Sequence, residues 1–237
     1  MHRDAELPLI MALDLDTLAD ARKTLNLVRG KLDYVKIGPR LFALGGVHFV
    51  KEMVDYGFKV FLDLKLHDIP NTIRLAVEAF GGIGLWSLTL HAAGGRRMLE
   101  EAVAARDRMG SSMKLFGISV LTSFNEEVWS EATPGCPMEE ALRQRAWLCD
   151  DSGLDGVVCS PLDLPVIKDR VRPGLLKVVP GVRLTSLGDD QTRIATPCQA
   201  IKNGADYVVM GRPIYKADDI ESAMNVIGDS IREGLKG

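Results

Sequence analysis

The chain has 237 residues, 46% hydrophobic and 26% charged, with a formal net charge of −3. That length fits one α/β barrel, and the balance is that of a globule with a packed core, which excludes a disordered or fibrous chain. The basic clusters Arg96-Arg97 and Arg143/Arg145 sit inside amphipathic segments rather than in a long basic run, which argues against a nucleic-acid partner.

Eight short apolar runs follow in order: Leu9 to Asp14, Tyr34 to Gly38, Phe58 to Lys65, Leu85 to His91, Leu115 to Leu121, Gly156 to Ser160, Leu176 to Pro180 and Tyr207 to Gly211. Most are continuous and not alternating, as expected of parallel strands buried on both faces. Between the first two, Leu18, Ala21, Leu25 and Val28 mark one helix face, and Ile220, Met224, Ile227 and Ile231 mark another at the end of the chain. Strand and helix alternate throughout with no Pro/Ser-rich linker, so residues 1–237 read as one parallel α/β domain. A doubly wound open sheet is the competing topology.

The placement of polar residues separates the two. Asp14, Lys36, Asp63 with Lys65, His91, Thr122, Ser160, Arg183 and Arg212 each fall at or just past the C-terminal end of a run. In a (β/α)8 TIM barrel those ends share one rim, where active sites of that fold are built. The expectation is therefore a closed barrel with its chemistry on that rim.

The densest cluster is Asp63-Leu64-Lys65-Leu66-His67-Asp68-Ile69-Pro70-Asn71-Thr72. Regular strand alternation would point Asp63 and Lys65 the same way, with Leu62, Leu64 and Leu66 filling the opposite face. Pro70 suits the first turn of the next helix. Lys36, on the neighbouring strand, would face the same cavity, making a Lys-Asp-Lys-Asp array with Asp68. Taken alone, a salt-bridged rim would explain D-x-K-x-x-D equally well. Charges are seldom buried without a partner and a purpose, which favours a site.

The segment D-L-K-L-H-D-I-P-N-T resembles the signature of the orotidine 5'-phosphate decarboxylase family in nearly every position. The likeness continues in family order through Val35–Gly38, Leu90–Gly95, Val120–Ser123, Pro180–Arg183 and Val209–Arg212. It implies a homodimeric lyase that converts orotidine 5'-phosphate to uridine 5'-phosphate with no metal or cofactor. By that resemblance Asp14 and Lys36 bond the ribose hydroxyls, and Lys36 also holds Asp63. Lys65 stabilises and then protonates the carbanion at C6, and Asp63 lies beside the departing carboxylate. Asp68, with Ile69 and Thr72, is supplied by the other subunit.

The chemistry agrees. Loss of carbon dioxide leaves negative charge on a ring carbon with no π-system to accept it, so a fixed ammonium nearby stabilises the transition state more than the ground state.

Phosphate recognition is expected on the last two loops, where barrels of this class often bind it. Gly211 would let backbone N–H groups approach the anion and Arg212 would supply a bidentate contact. The long polar stretch Arg183 to Pro197 reads as a lid. Within it Gln191 resembles the family's phosphate-contacting glutamine, and Arg183 its neighbour at the loop base. Thr122, with Ser123 as the alternative, would bond the pyrimidine edge.

His91 and His67 read as structural, since nothing in the reaction needs an imidazole. The pairs Gly81-Gly82 and Gly94-Gly95 read as tight loop geometry. Cys136, Cys149, Cys159 and Cys198 contain no C-x-x-C spacing and read as reduced thiols in small apolar spaces. The opening MHRDAELPLI has no apolar leader, and no stretch of eighteen or so apolar residues could span a bilayer, so a cytoplasmic protein is expected.

Two rival readings fit the same residues. A metal-dependent sugar-phosphate decarboxylase or epimerase can share D-x-K-x-x-D and the phosphate loops, but an ammonium at Lys36 would repel the ion where such enzymes resemble one another in carrying a glutamate. A non-catalytic nucleotide-binding barrel is the other.

Overall fold

The apolar runs become eight parallel strands because each can be buried on both sides. The computed structural model describes residues 6–184 and 195–236. In chain order its elements are β1 (Leu9–Ala12), α1 (Leu18–Val28), β2 (Tyr34–Ile37), α2 (Pro39–Asp55), β3 (Lys59–Leu66) and α3 (Pro70–Gly81). Next come β4 (Ser87–His91), α4 (Gly95–Arg108), β5 (Lys114–Ile118), α5 (Glu126–Ala132), α6 (Met138–Asp151) and β6 (Gly156–Val158). The remainder is α7 (Leu164–Ile167), β7 (Leu176–Pro180), α8 (Pro197–Lys202), β8 (Tyr207–Met210), α9 (Arg212–Tyr215) and α10 (Ile220–Leu235). Each strand pairs in parallel with the next and β8 returns to β1, so the sheet closes into a (β/α)8 barrel and the open-sheet alternative is excluded.

Alternation divides the core in two. Leu9, Met11, Val35 and Leu62 pack outward with the helices, while Ile10, Ala12, Tyr34, Phe61, Phe116, Ile118 and Val209 fill the barrel interior. Tyr34, Trp86 and Tyr207 meet edge-on with ring centroids 4.8 to 5.3 Å apart and plug its lower half. One layer higher on the same strands come Lys36, two residues after Tyr34, and Asp63, two after Phe61. The aromatic plug is thus the floor of the polar site.

The expected helix faces are present: Ala21, Leu25 and Val28 are buried on α1, and Met224, Ile227 and Ile231 on α10. Several strands end earlier than their apolar runs, at Ala12, Ile118, Val158 and Met210. Leu13, Val120 and Cys159 are buried all the same, so apolarity extends beyond the ladder into the first residues of the loops. Asp14, Thr122 and Ser160 consequently stand on loops above the rim, and Arg212 opens α9 just past β8. Cys149 and Cys159 are buried free thiols, and burial pushes Cys149 up to about 12. Among the described residues no helix is long and apolar enough to cross a membrane.

Candidate active site

A cavity of about 1490 Å³ opens over the C-terminal ends of the strands. Asp14, Lys36, Asp63, Lys65, Thr122, Ser123, Arg183, Gly211 and Arg212 all line it.

Its deepest charged group is Asp63, whose side chain is 9% exposed. Lys65 Nζ lies 2.9 Å from Asp63 Oδ2, and Lys36 Nζ lies 3.3 Å from the same oxygen. Lys36 also approaches Asp14 Oδ1 at 3.8 Å. Burial raises the Asp63 carboxyl, but the Lys36 and Lys65 ammonium groups and hydrogen bonds from Lys65 and Thr89 outweigh it and hold the group below its ordinary value. Asp63 is therefore an anion fixed between two cations.

Lys65 does not reach this position by plain strand alternation, as the sequence reading assumed. Its φ is +51°, a left-handed conformation found at no other non-glycine among the described residues. The register of β3 on β4 shifts between Leu62, which pairs with Leu88, and Leu66, which pairs with Leu90. The bulge re-aims the side chain, a use of strand irregularity known next to active sites. Asp63 and Lys65 still meet, but through a distorted strand.

Thr89, fully buried on β4, occupies the gap: its hydroxyl accepts from the Lys65 amide at 2.8 Å and donates to Asp63 Oδ1 at 3.1 Å. Sequence reading missed this residue. The one available signal was a hydroxyl inside the apolar run Leu88-Thr89-Leu90, two residues before His91.

Asp68, Ile69 and Thr72 are exposed. Asp68 and Ile69 border a separate shallow concavity with His67, Pro70, Ala93 and Gly94, and do not line the main cavity of their own chain. Asp68 Oδ1 accepts from the Ile69 amide at 2.6 Å. Beside them the rings of His67 and His91 stack with centroids 5.3 Å apart. His91 Nδ1 accepts from the Ala93 amide, and burial, with Arg145, His67 and Lys65 adding like charge, lowers its pKa to about 4. That is a neutral, hydrogen-bonded imidazole. Gly95 has φ +79°, in keeping with the tight loop geometry expected of that pair, whereas Gly81 ends α3 and Gly82 caps it with negative φ.

On the opposite side of the cavity the long loop is tied at its base, where the Arg183 amide donates to the Ala195 carbonyl and Val182 bridges Ala195. Thr196 then opens α8 with a capping box shared with Gln199. Gln191 lies outside the described residues, as does most of the proposed lid. Gly211 could not carry a side chain without crowding, since a Cβ there would stand 3.1 Å from the Ala12 carbonyl oxygen and 3.2 Å from Ala12 Cβ. Gly211 follows directly on the β8 ladder with β1, and Arg212 comes next on the cavity's lining.

Among the described residues no three His, Cys, Asp or Glu side chains are grouped so as to hold a metal ion. The carboxylates of Asp14 and Asp63 are instead bridged by the Lys36 ammonium.

The family model described as "Orotidine 5'-phosphate decarboxylase / HUMPS family" matches residues 7–227. Orotidine 5'-phosphate decarboxylase from Glaesserella parasuis is 41% identical over 226 residues, covering 94% of this chain and 98% of that protein. The enzyme of the same name from Halorhodospira halophila is 42% identical over 225 residues, covering 94% and 95%. Among solved structures, that of orotidine 5'-phosphate decarboxylase from Lactobacillus acidophilus superposes with a TM-score of 0.83 at 33% identity, covering 95% of this chain and 99% of that one. With a family model matching nearly its whole length and relatives above 40% identity, the chain belongs to the orotidine 5'-phosphate decarboxylase / HUMPS family.

Proposed function

We propose that the chain is a lyase that converts orotidine 5'-phosphate to uridine 5'-phosphate and carbon dioxide, with no metal or cofactor. The observation that carries this reading is the buried Asp63 carboxylate held between the Lys36 and Lys65 ammonium groups on the barrel rim.

In this reading the C6–carboxylate bond breaks, carbon dioxide leaves, and the electron pair stays on C6. Lys65 offsets that charge and then gives the carbon its proton. Asp63 holds the ammonium in place through its 2.9 Å contact, so the favourable field exists before the reaction begins. Asp14 and Lys36 hold the ribose hydroxyls, and Thr122 or Ser123 the pyrimidine edge. Gly211, Arg212 and Arg183 take the phosphate together with Gln191, and its binding energy is used at the distant reacting carbon. A phosphorylated nucleotide substrate of this kind fits a cytoplasmic enzyme.

The active unit we propose is a homodimer with shared sites. In its support, Asp68, Ile69 and Thr72 are exposed and do not line their own chain's main cavity, with Ile69 65% exposed. An isologous contact would bring them to the partner's site.

The metal-dependent sugar-phosphate alternative is disfavoured by Lys36, whose ammonium lies between Asp14 and Asp63. The test is to incubate the protein with orotidine 5'-phosphate and follow the pyrimidine absorbance, with and without EDTA. Decay unaffected by the chelator is the expected result. Activity that collapses in EDTA and returns with magnesium would support the metal-dependent reading, and tight binding of uridine 5'-phosphate without decay a non-catalytic barrel.

A further inference from the structure

Between Leu62 and Leu66 on β3 stand three residues, while between their partners Leu88 and Leu90 on β4 stands one, Thr89. Two residues of β3 are therefore in excess, and the ladder would leave the Lys65 amide without its usual carbonyl. A partly buried amide that the ladder leaves unpaired needs another acceptor. It finds the Thr89 hydroxyl, at 2.8 Å.

The direction of this small network is fixed by chemistry. An amide can only donate, so Thr89 Oγ1 is the acceptor and its own proton is free for Asp63 Oδ1, a carboxylate oxygen that can only accept. One hydroxyl thus joins the backbone of Lys65 to the side chain of Asp63. Both are parts that must stay in register if the ammonium is to meet a reacting carbon.

We propose that Thr89 is a positioning residue of the decarboxylation site, holding Lys65 in its left-handed backbone conformation and Asp63 in the orientation that receives the Lys65 ammonium. The inference rests on the reading of Lys65 as the group that meets C6. Thr89 itself does not line the cavity. It acts by making one of many conformations of the bulged strand the occupied one, since a non-glycine residue at positive φ persists only where its surroundings over-determine it. Valine has the shape of threonine without the hydroxyl, and serine keeps the hydroxyl without the methyl, so the two separate the hydrogen bonds from the packing.

The experiment compares wild type, Thr89→Val and Thr89→Ser by kcat and KM for orotidine 5'-phosphate and by hydrogen exchange of the Lys65 amide in NMR. Thr89→Val is expected to lose on the order of 10²-fold in kcat with little change in KM, the scale of a small misplacement of a reacting group. Its Lys65 amide should lose protection, and Thr89→Ser should recover both. Should Thr89→Val fail to fold, Thr89→Ala takes its place, with the same outcome expected. Turnover and protection unchanged without the hydroxyl, or a serine variant as impaired as the valine one, would overturn the proposal. A wild-type protein inactive on orotidine 5'-phosphate would defeat the functional reading instead. The exchange comparison then decides on Thr89 alone, with lost protection in the valine variant upholding the clamp and unchanged protection refuting it.

Discussion

Asp63 and Lys65 stand two residues apart on one strand and their charged atoms 2.9 Å apart across the cavity floor, although the strand between them is bulged and Lys65 is left-handed. With Lys36 on the other side, the carboxylate is held as an anion below its usual pKa.

The ionised carboxylate bears on acid stability. A carboxyl whose folded pKa is lowered contributes stability that is fully present above its unfolded value and is lost as pH falls through the folded one. Asp63→Asn leaves Lys36 and Lys65 without their shared anion. Its deficit against wild type, measured by urea unfolding, should be largest at neutral pH and shrink below about pH 4. A deficit independent of pH would mean that Asp63 is not ionised in the folded protein.

His91 sets a second window. Its folded pKa of about 4 lies below the ordinary 6.5, so the unfolded chain takes up a proton that the folded one refuses. Stability should fall as pH drops from about 6.5 to about 4 and flatten beneath that. Protonating Nδ1 would also break the bond from the Ala93 amide. His91→Asn should remove this part of the slope in a pH series of urea midpoints, and an unchanged slope would put the titration elsewhere.

Arg212 is expected to act at a distance from the chemistry. Arg212→Ala should lower kcat/KM for orotidine 5'-phosphate by around 10²-fold, a loss of about 2.7 kcal/mol, with folding little disturbed. On orotidine, which lacks the phosphate, variant and wild type should be equal. A variant much worse than wild type on orotidine would show that Arg212 supports the fold.

The shared site can be tested by mixing. Lys65→Ala and Asp68→Ala should each be nearly inactive as homodimers. After exchange of equal amounts, half the dimers are mixed and each mixed dimer has one intact site, so about a quarter of wild-type activity per subunit should return. Verified exchange without recovery would place Asp68 in its own chain's site or on an unrelated rim.

The barrel and its rim were legible from sequence because burial on both faces writes mostly continuous apolar strands and gathers the charged site residues near their C-terminal ends. Strand limits were overrun because Leu13, Val120 and Cys159 are buried beyond the hydrogen-bonded ladder. The site was legible where charge sits in an apolar setting, as at Lys36, Asp63 and Lys65. The bulge was not. Nothing in Asp63-Leu64-Lys65-Leu66 marks it, since the sequence has no glycine there and the distortion is held by a hydroxyl on the next strand. Thr89 was hidden for the same reason: its role depends on a tertiary neighbour and not on its own local pattern.

The central claim is that the Lys65 ammonium, and no metal or other group, stabilises the charge formed at C6. The most direct measurement is turnover of orotidine 5'-phosphate by Lys65→Ala, alongside its affinity for uridine 5'-phosphate by calorimetry. The expected result is that kcat falls by at least about 10³-fold, a loss of about 4 kcal/mol, while uridine 5'-phosphate still binds. A variant that bound the product and kept even about a tenth of wild-type kcat, a loss of only about 1.4 kcal/mol, would contradict it.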